Sequence, residues 1–93
     1  GCEQKYDRPA LVVWICHKAY LAHVIPLTTN IKHKKWFQTP IVTNSGKQCA
    51  AIITQYRSID IRRITGVVDE VNPYYFHRVI EAFKQECLLQ YEM

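Results

Sequence analysis

The sequence predicts a mainly β protein finished by one C-terminal helix, its strands forming a small, strongly bent sheet or barrel. Three observations predict it. Short β-branched and apolar runs recur between residues 10 and 71, separated by turn residues. The only convincing helical pattern comes last. It opens at Asn72-Pro73 and sets its apolar residues on one face.

The elements follow in order. Residues 1–9 read as a polar loop that enters a strand through Arg8-Pro9. Residues 10–16, Ala-Leu-Val-Val-Trp-Ile-Cys, form a buried strand, because β-branched residues lose little by extending. His17-Lys18-Ala19 is a short connection, and residues 20–27 are the second strand, paired with the first. Pro26 has no N–H to give a neighbour, so it belongs at a strand end, a bulge or an edge. Residues 29–35 are polar and basic and read as a loop. Residues 36–43 are strand-like, with Pro40 marking an edge or bulge. Asn44-Ser45-Gly46-Lys47 is a turn signal. Residues 48–56 form another strand, and residues 57–64 continue extended or as a short strand. Residues 67–71 are a last short strand or loop. Asn72 then caps the helix and Pro73 fits its first position. Phe76, Val79, Ile80, Phe83 and Cys87 share one face, which predicts packing on the sheet and an end near Leu89.

At 93 residues the chain suits one domain, residues 1–93. A composition 48% hydrophobic and 22% charged is that of a globular chain, not a disordered one. No apolar run approaches the ~20 residues of a membrane span, and the start carries no secretory pattern. A cytoplasmic setting is the expectation, with no membrane partner. Gly1 in place of Met points to a processed, tagged or truncated product. The four cysteines are widely and irregularly spaced, with no C-x-x-C pair, so they read as reduced. Cys16, Cys49 and Cys87 read as core-filling. His17, His23, His33 and His77 lack metal-ligand spacing, so neither metal nor cofactor is expected.

The net charge of +4 is a modest basic excess, but it clusters. Thr28 and Thr29 leave the second strand with hydroxyls free for solvent or a ligand, and Lys32, His33, Lys34 and Lys35 follow at once. Cations beside Trp36-Phe37 suit single-stranded nucleic acid, with phosphates on the lysines and bases on the rings. The plainer reading gives Trp36 and Phe37 to the core, and it is preferred for the rings alone. Arg57, Arg62 and Arg63 make a second basic set around Asp60, which can simply pair with an arginine. His23 reads first as a satisfied strand histidine and second as a proton carrier.

The order of four segments carries a resemblance. Gly1-Cys2-Glu3-Gln4, Arg8-Pro9-Ala10-Leu11-Val12-Val13, Val24-Ile25-Pro26-Leu27-Thr28-Thr29 and Gln55-Tyr56-Arg57-Ser58-Ile59-Asp60 resemble the MazF/PemK family of toxin–antitoxin ribonucleases. The family's matching segments are a G-x-E-Q loop, an R-P-a-L-V-V strand, a P-[LVI]-T-[ST] strand end and a Q-x-[RK]-[ST]-I segment before a glycine and a helix. The resemblance spans essentially the whole chain. It implies an SH3-like small barrel of CcdB/MazF/PemK type, acting as a homodimer. It also implies metal-independent, sequence-selective cleavage of single-stranded RNA and neutralisation by an antitoxin protein. By position Arg8 matches the catalytic arginine and Thr28 the catalytic threonine. Glu3, Gln4 and Gln55 match residues that line or organise the RNA groove. Thr29, Lys32, Lys34, Lys35 and Arg57 are further candidates for RNA contact, and Glu3 and His23 for proton transfer.

The chain departs from the family pattern in three ways. Members usually begin with an extra apolar strand ahead of the G-x-E-Q loop. Some PemK-like members use a histidine where this chain has Cys2, and an arginine and aspartate where it has Ile52 and Thr54. The sister toxin CcdB poisons gyrase through a C-terminus typically ending Trp-Gly-Ile, whereas this chain ends Gln90-Tyr91-Glu92-Met93. The alternative is a catalytically degenerate barrel that binds nucleic acid or a protein without cleavage.

Overall fold

The computed structural model describes residues 8–32 and 35–88. Among the described residues there are five strands: β1 (Ala10–Cys16), β2 (Leu21–Thr28), β3 (Gln38–Val42), β4 (Gln48–Ile52) and β5 (Arg57–Asp60). One α-helix among the described residues, α1 (Pro73–Phe83), follows them and widens into a π-helical turn, Lys84–Leu88. All pairings are antiparallel, in the order β1-β2-β4-β3, with β5 also on β2.

β2 is the strand that bends the sheet. One edge of it runs along β1, from Cys16 opposite Leu21 to Ala10 opposite Pro26. The other edge changes partner: residues 21–24 pair with β5, and Leu27 and Thr28 pair with β4. Pro26 sits in the gap between those two partners. Its missing N–H therefore breaks no ladder bond on that side, which is why a proline is tolerated in a strand paired on both edges. Pro40 is accommodated differently, on the edge strand β3.

β1 carries a bulge at Val13. An unbulged ladder would set Trp14 against Ala22. The extra residue sets it against His23 instead and so turns the indole to the other side of the sheet. The β1–β2 connection is a 3₁₀ turn, His17–Ala19, closed by Tyr20 at φ 55°. A non-glycine residue in the left-handed region costs roughly 1 kcal/mol. Here the Tyr20 N–H donates to His17 O at 3.2 Å, and Tyr20 O accepts from Ile61 N–H at 2.9 Å.

Two predicted strands end early. The run from residue 48 stops at Ile52 and becomes a 3₁₀ turn, Ile53–Gln55, which re-aims the chain from β4 into β5. Arg57–Asp60 is likewise followed by a 3₁₀ turn, Ile61–Arg63. Residues 67–71 keep one bridge, Val71 opposite Thr43. The segment is tied down by Asn44 N–H to Glu70 O at 2.7 Å and by the Ser45 hydroxyl to Asp69. The Ser45 and Thr43 hydroxyls hold the Asp69 carboxyl below its ordinary value.

The core lies between α1 and the inner side of the sheet. Ile25, Ile41, Ile53 and Val79 are its largest fully buried side chains, each stabilising the fold by roughly 1.5–3 kcal/mol. Asn72 caps α1 as expected, its Oδ1 accepting from Tyr74 N–H at 2.9 Å. Asn72 N–H also donates to Val42 O at 3.1 Å, which fixes the helix start against β3. Cys49 is buried, and Cys16 and Cys87 are partly so; all three are free thiols. Burial pushes the thiol values of Cys49 and Cys87 up, so both stay protonated. No helix among the described residues is long and apolar enough to cross a membrane.

Candidate functional site

The site grows from the end of β2. Thr28 stands opposite Ala50 of β4, and Ala50 stands opposite Pro40 of β3. On the other edge, Leu27 N–H donates to Pro9 O at 3.2 Å, one step beyond the Ala10–Pro26 pair. That bond carries the register on and sets Arg8 across from Thr28. Directly opposed residues of an antiparallel pair share a face. Arg8, Thr28, Ala50 and Pro40 therefore form one row across the outer side of the sheet. Arg8 is exposed and Thr28 half-buried.

The Thr28 hydroxyl is oriented. Its Oγ1 accepts from Asn30 N–H at 3.0 Å. With one lone pair occupied, the hydroxyl hydrogen remains to be donated outward. Asn30 and Lys32, which follow, are pinned by one side chain that no local pattern singles out. Gln38 Oε1 accepts from Lys32 N–H at 2.7 Å, and Gln38 Nε2 donates to Asn30 O at 3.3 Å. These bonds span six and eight residues of separation, so no local sequence pattern announces them.

The remaining candidates fall into groups. Thr29, Lys32 and Lys35 are exposed on the loop after Thr28. Trp36 is 60% exposed, with only an edge-to-face contact to Phe37 at 6.0 Å. That corrects the expectation that it serves the core; Phe37 is half-buried. Arg57 is exposed on β5 opposite Val24. It shares the face of Thr28 but lies four residues along β2, roughly 13 Å at strand rise. Gln55 is exposed on the turn before β5. Glu3, Gln4 and Lys34 lie outside the described residues.

His23 is not brought to Arg8 and Thr28. It is five residues from Thr28 along β2, roughly 17 Å, and side chains of odd and even positions point to opposite faces. Its Nδ1 lies 3.0 Å from Ser58 Oγ. Its ring stacks on Trp14 at 4.7 Å and on Tyr56 at 5.7 Å, and Tyr56 stacks on Phe83 at 4.5 Å. This four-ring column anchors the end of α1 to the sheet.

One member of the second basic set, Arg62, is committed. Arg62 donates from Nε and Nη2 to the two oxygens of Asp60 at 2.9 and 2.6 Å, and its guanidinium lies 5.7 Å from the Tyr20 ring centre. Those hydrogen bonds hold the Asp60 carboxyl down to about 2. Among the described residues no group of three or more His, Cys, Asp or Glu side chains gathers to hold a metal.

A bent antiparallel sheet under one C-terminal helix is the fold of the MazF-type toxins. The chain overlays the MazF of a MazE–MazF crystal structure from Deinococcus radiodurans with a TM-score of 0.72 at 21% identity, over 86% of this chain and 84% of that one. It overlays the Mycobacterium tuberculosis toxin MazF-mt6 with a TM-score of 0.67 at 14% identity, over 84% and 83%. No curated protein matches it in sequence. The model of the PemK-like, MazF-like toxins of type II toxin–antitoxin systems matches residues 1–86, and the chain belongs to that family.

Proposed function

We propose that this toxin is a metal-independent, sequence-selective endoribonuclease acting on single-stranded RNA. The observation that carries the reading is the Leu27–Pro9 bond, which holds Arg8 across from Thr28. In the reaction the 2′-oxygen attacks the adjacent phosphorus, the P–O5′ bond breaks, and a cyclic phosphate and a 5′-hydroxyl result. The 2′-hydroxyl gives up its proton and the departing 5′-oxygen gains one. Extra negative charge develops on the phosphorane oxygens in between. Arg8 offers them a planar fork of donors that stays charged. The Thr28 hydroxyl donates to the same charge. Each such preorganised donor is worth on the order of 3 kcal/mol in the transition state. An arginine is a poor base at its ordinary value, so Arg8 acts by electrostatics and the proton carrier is sought in Glu3. Thr29, Lys32, Lys34, Lys35, Gln4, Gln55 and Arg57 serve the strand to either side.

On this reading the protein works in the cytoplasm as a homodimer and is silenced by an antitoxin protein. The Deinococcus relative was crystallised as a MazE–MazF complex, which supports the last point.

The test is to incubate the purified chain with a long RNA in the presence of a chelator and map the 5′ ends produced. Discrete cuts are expected. Arg8→Ala and Thr28→Ala should each abolish them while leaving the circular dichroism spectrum unchanged. Full activity in both variants would sink the reading. RNA retention without cleavage by the unaltered chain would favour a binding module of the same shape.

A further inference from the structure

We infer that the hollow beside Thr28, floored by Ala50 and edged by the Gln38 amide, is the pocket that selects one nucleobase flanking the cleaved bond. This deepens the endoribonuclease reading and rests on it, since Thr28 is what brings the scissile phosphate to the pocket mouth.

The hollow has a volume of about 360 Å³. It lies between Ile31 and Lys32 after β2, the β3–β4 ladder and Tyr75 of α1, with Ile41 and Cys49 of the core behind it. Ala50, its floor, is the residue opposite Thr28 in the ladder. Ala50, fully buried beneath the hollow, is thus one strand spacing, roughly 5 Å, from Thr28 in the same row. Ile31, Pro40 and Val42 supply apolar walls, and Tyr75 adds a ring. Faces of this kind accept any base. Selection needs fixed hydrogen-bonding groups, and the hollow has them.

Gln38 is the fixed group. Its carbonyl is held by Lys32 N–H and its amino group by Asn30 O, so the amide cannot flip without losing both bonds. A primary amide has two donors and an acceptor with two lone pairs. One donor and one lone pair are spent on the loop, leaving one of each. The remaining lone pair and the remaining N–H are a fixed acceptor and a fixed donor, each able to meet one group of a base edge. Gln48 brings a second amide from β4, and Lys32 brings a cation for the phosphate at the rim. Stapling the loop also keeps the pocket formed before RNA arrives, so little ordering is left to oppose binding.

The experiment maps 5′ ends from a pool of RNAs cut by the unaltered chain and by Gln38→Glu, Gln38→Met and Gln48→Leu. Thr28→Ala is run alongside. Gln38→Glu turns the free donor into an acceptor, and Gln38→Met removes both groups. Each is expected to change the base preference at one position beside the cut by about tenfold or more, with preferences elsewhere kept. Gln48→Leu, which breaks no loop bond, is expected to weaken the same position. A merely structural role for Gln38 predicts loss of cleavage at all sites alike. That result, or an unchanged motif in all three variants, overturns the pocket. If Thr28→Ala still cuts like the unaltered chain, the catalytic reading fails by itself. Base preference is then read from RNAs retained from a random pool by the unaltered chain and by Gln38→Met, and equal pools overturn the pocket too.

Discussion

Leu27 donates its N–H to the carbonyl of Pro9 at 3.2 Å, one step past the last paired residues of β1 and β2. The bond is small in energy, on the order of 1 kcal/mol. Its consequence is geometric: it carries the β1–β2 register one step past Ala10–Pro26, and the next step of that register brings Arg8 to the face of Thr28.

A fork held at a fixed place differs from a mobile point charge. Arg8→Lys keeps the charge but loses two parallel donors. Its kcat is expected to fall by about 10²–10³, the usual cost of removing one preorganised donor. KM should change far less, because phosphate attraction persists. Single-turnover cleavage of a short RNA measures both. A lysine variant with unaltered kcat would mean that Arg8 binds the strand and does not stabilise the transition state.

His23 is expected to matter for stability and not for chemistry. Removing its ring by His23→Ala breaks two stacking contacts and the Ser58 hydrogen bond. A loss on the order of 1–2 kcal/mol follows. In a chain of 93 residues each kcal/mol lowers the melting midpoint by roughly 4–8 °C. Cleavage well below the new midpoint should keep the rate and pH profile of the unaltered chain. Loss of activity without loss of stability would return His23 to the role of proton carrier.

The two histidine readings show where sequence reasoning stops. The bounds of β1 were legible to the residue, because a β-branched run has one comfortable conformation and Arg8-Pro9 and His17 bound it. The expected burial is corrected: only Leu11 is buried, and Val12, Trp14 and Ile15 are exposed, because β1 ends the strand order. Pro26 and Pro40 both announced special places, and both have them. The Val13 bulge was not legible. One extra residue in a continuous apolar run leaves no mark, yet it decides that Trp14 meets His23 and not Ala22. Gln38 was hidden for a different reason: its partners lie across a loop whose path follows from the sheet. Trp36 was misplaced because ring size suggests burial, while β3 begins two residues later and leaves the indole outside.

The capping of α1 offers a check that is independent of RNA. Asn72 satisfies Tyr74 N–H through its side chain and reaches Val42 O through its own N–H. Asn72→Ala removes only the first bond. A cost of about 1 kcal/mol is expected, read as a lower urea midpoint at constant m. Asn72→Asp keeps the acceptor and adds charge at the helix N-terminus, so it should equal or exceed the unaltered stability. If alanine is as stable as asparagine, the cap contributes nothing and the helix is held by Val79 and its apolar face alone.

The Asp60–Arg62 pair predicts a pH dependence whose direction can be worked out. Arg62 hydrogen bonds hold the folded-state carboxyl down to about 2, below its reference of 3.8. A depressed carboxyl stabilises the fold fully above the unfolded value and loses that contribution as pH falls through the folded one. The pair should therefore contribute at neutral pH and fade between about pH 4 and pH 2. Because the side chains are exposed, salt screens the attraction, with a Debye length of about 3 Å at 1 M. A carboxylate-carbon NMR titration should find Asp60 near 2 at low salt, drifting upward at 1 M. Arg62→Leu should bring it back into the ordinary carboxylate range. The same variant removes the cation from the ring of Tyr20, the one non-glycine among the described residues held in the left-handed region. Tyr20 keeps its backbone bond from Ile61, so the turn should persist while its ring resonances broaden. An Asp60 that titrates normally in the unaltered chain would mean that Arg62 is free in solution and available to an anionic partner.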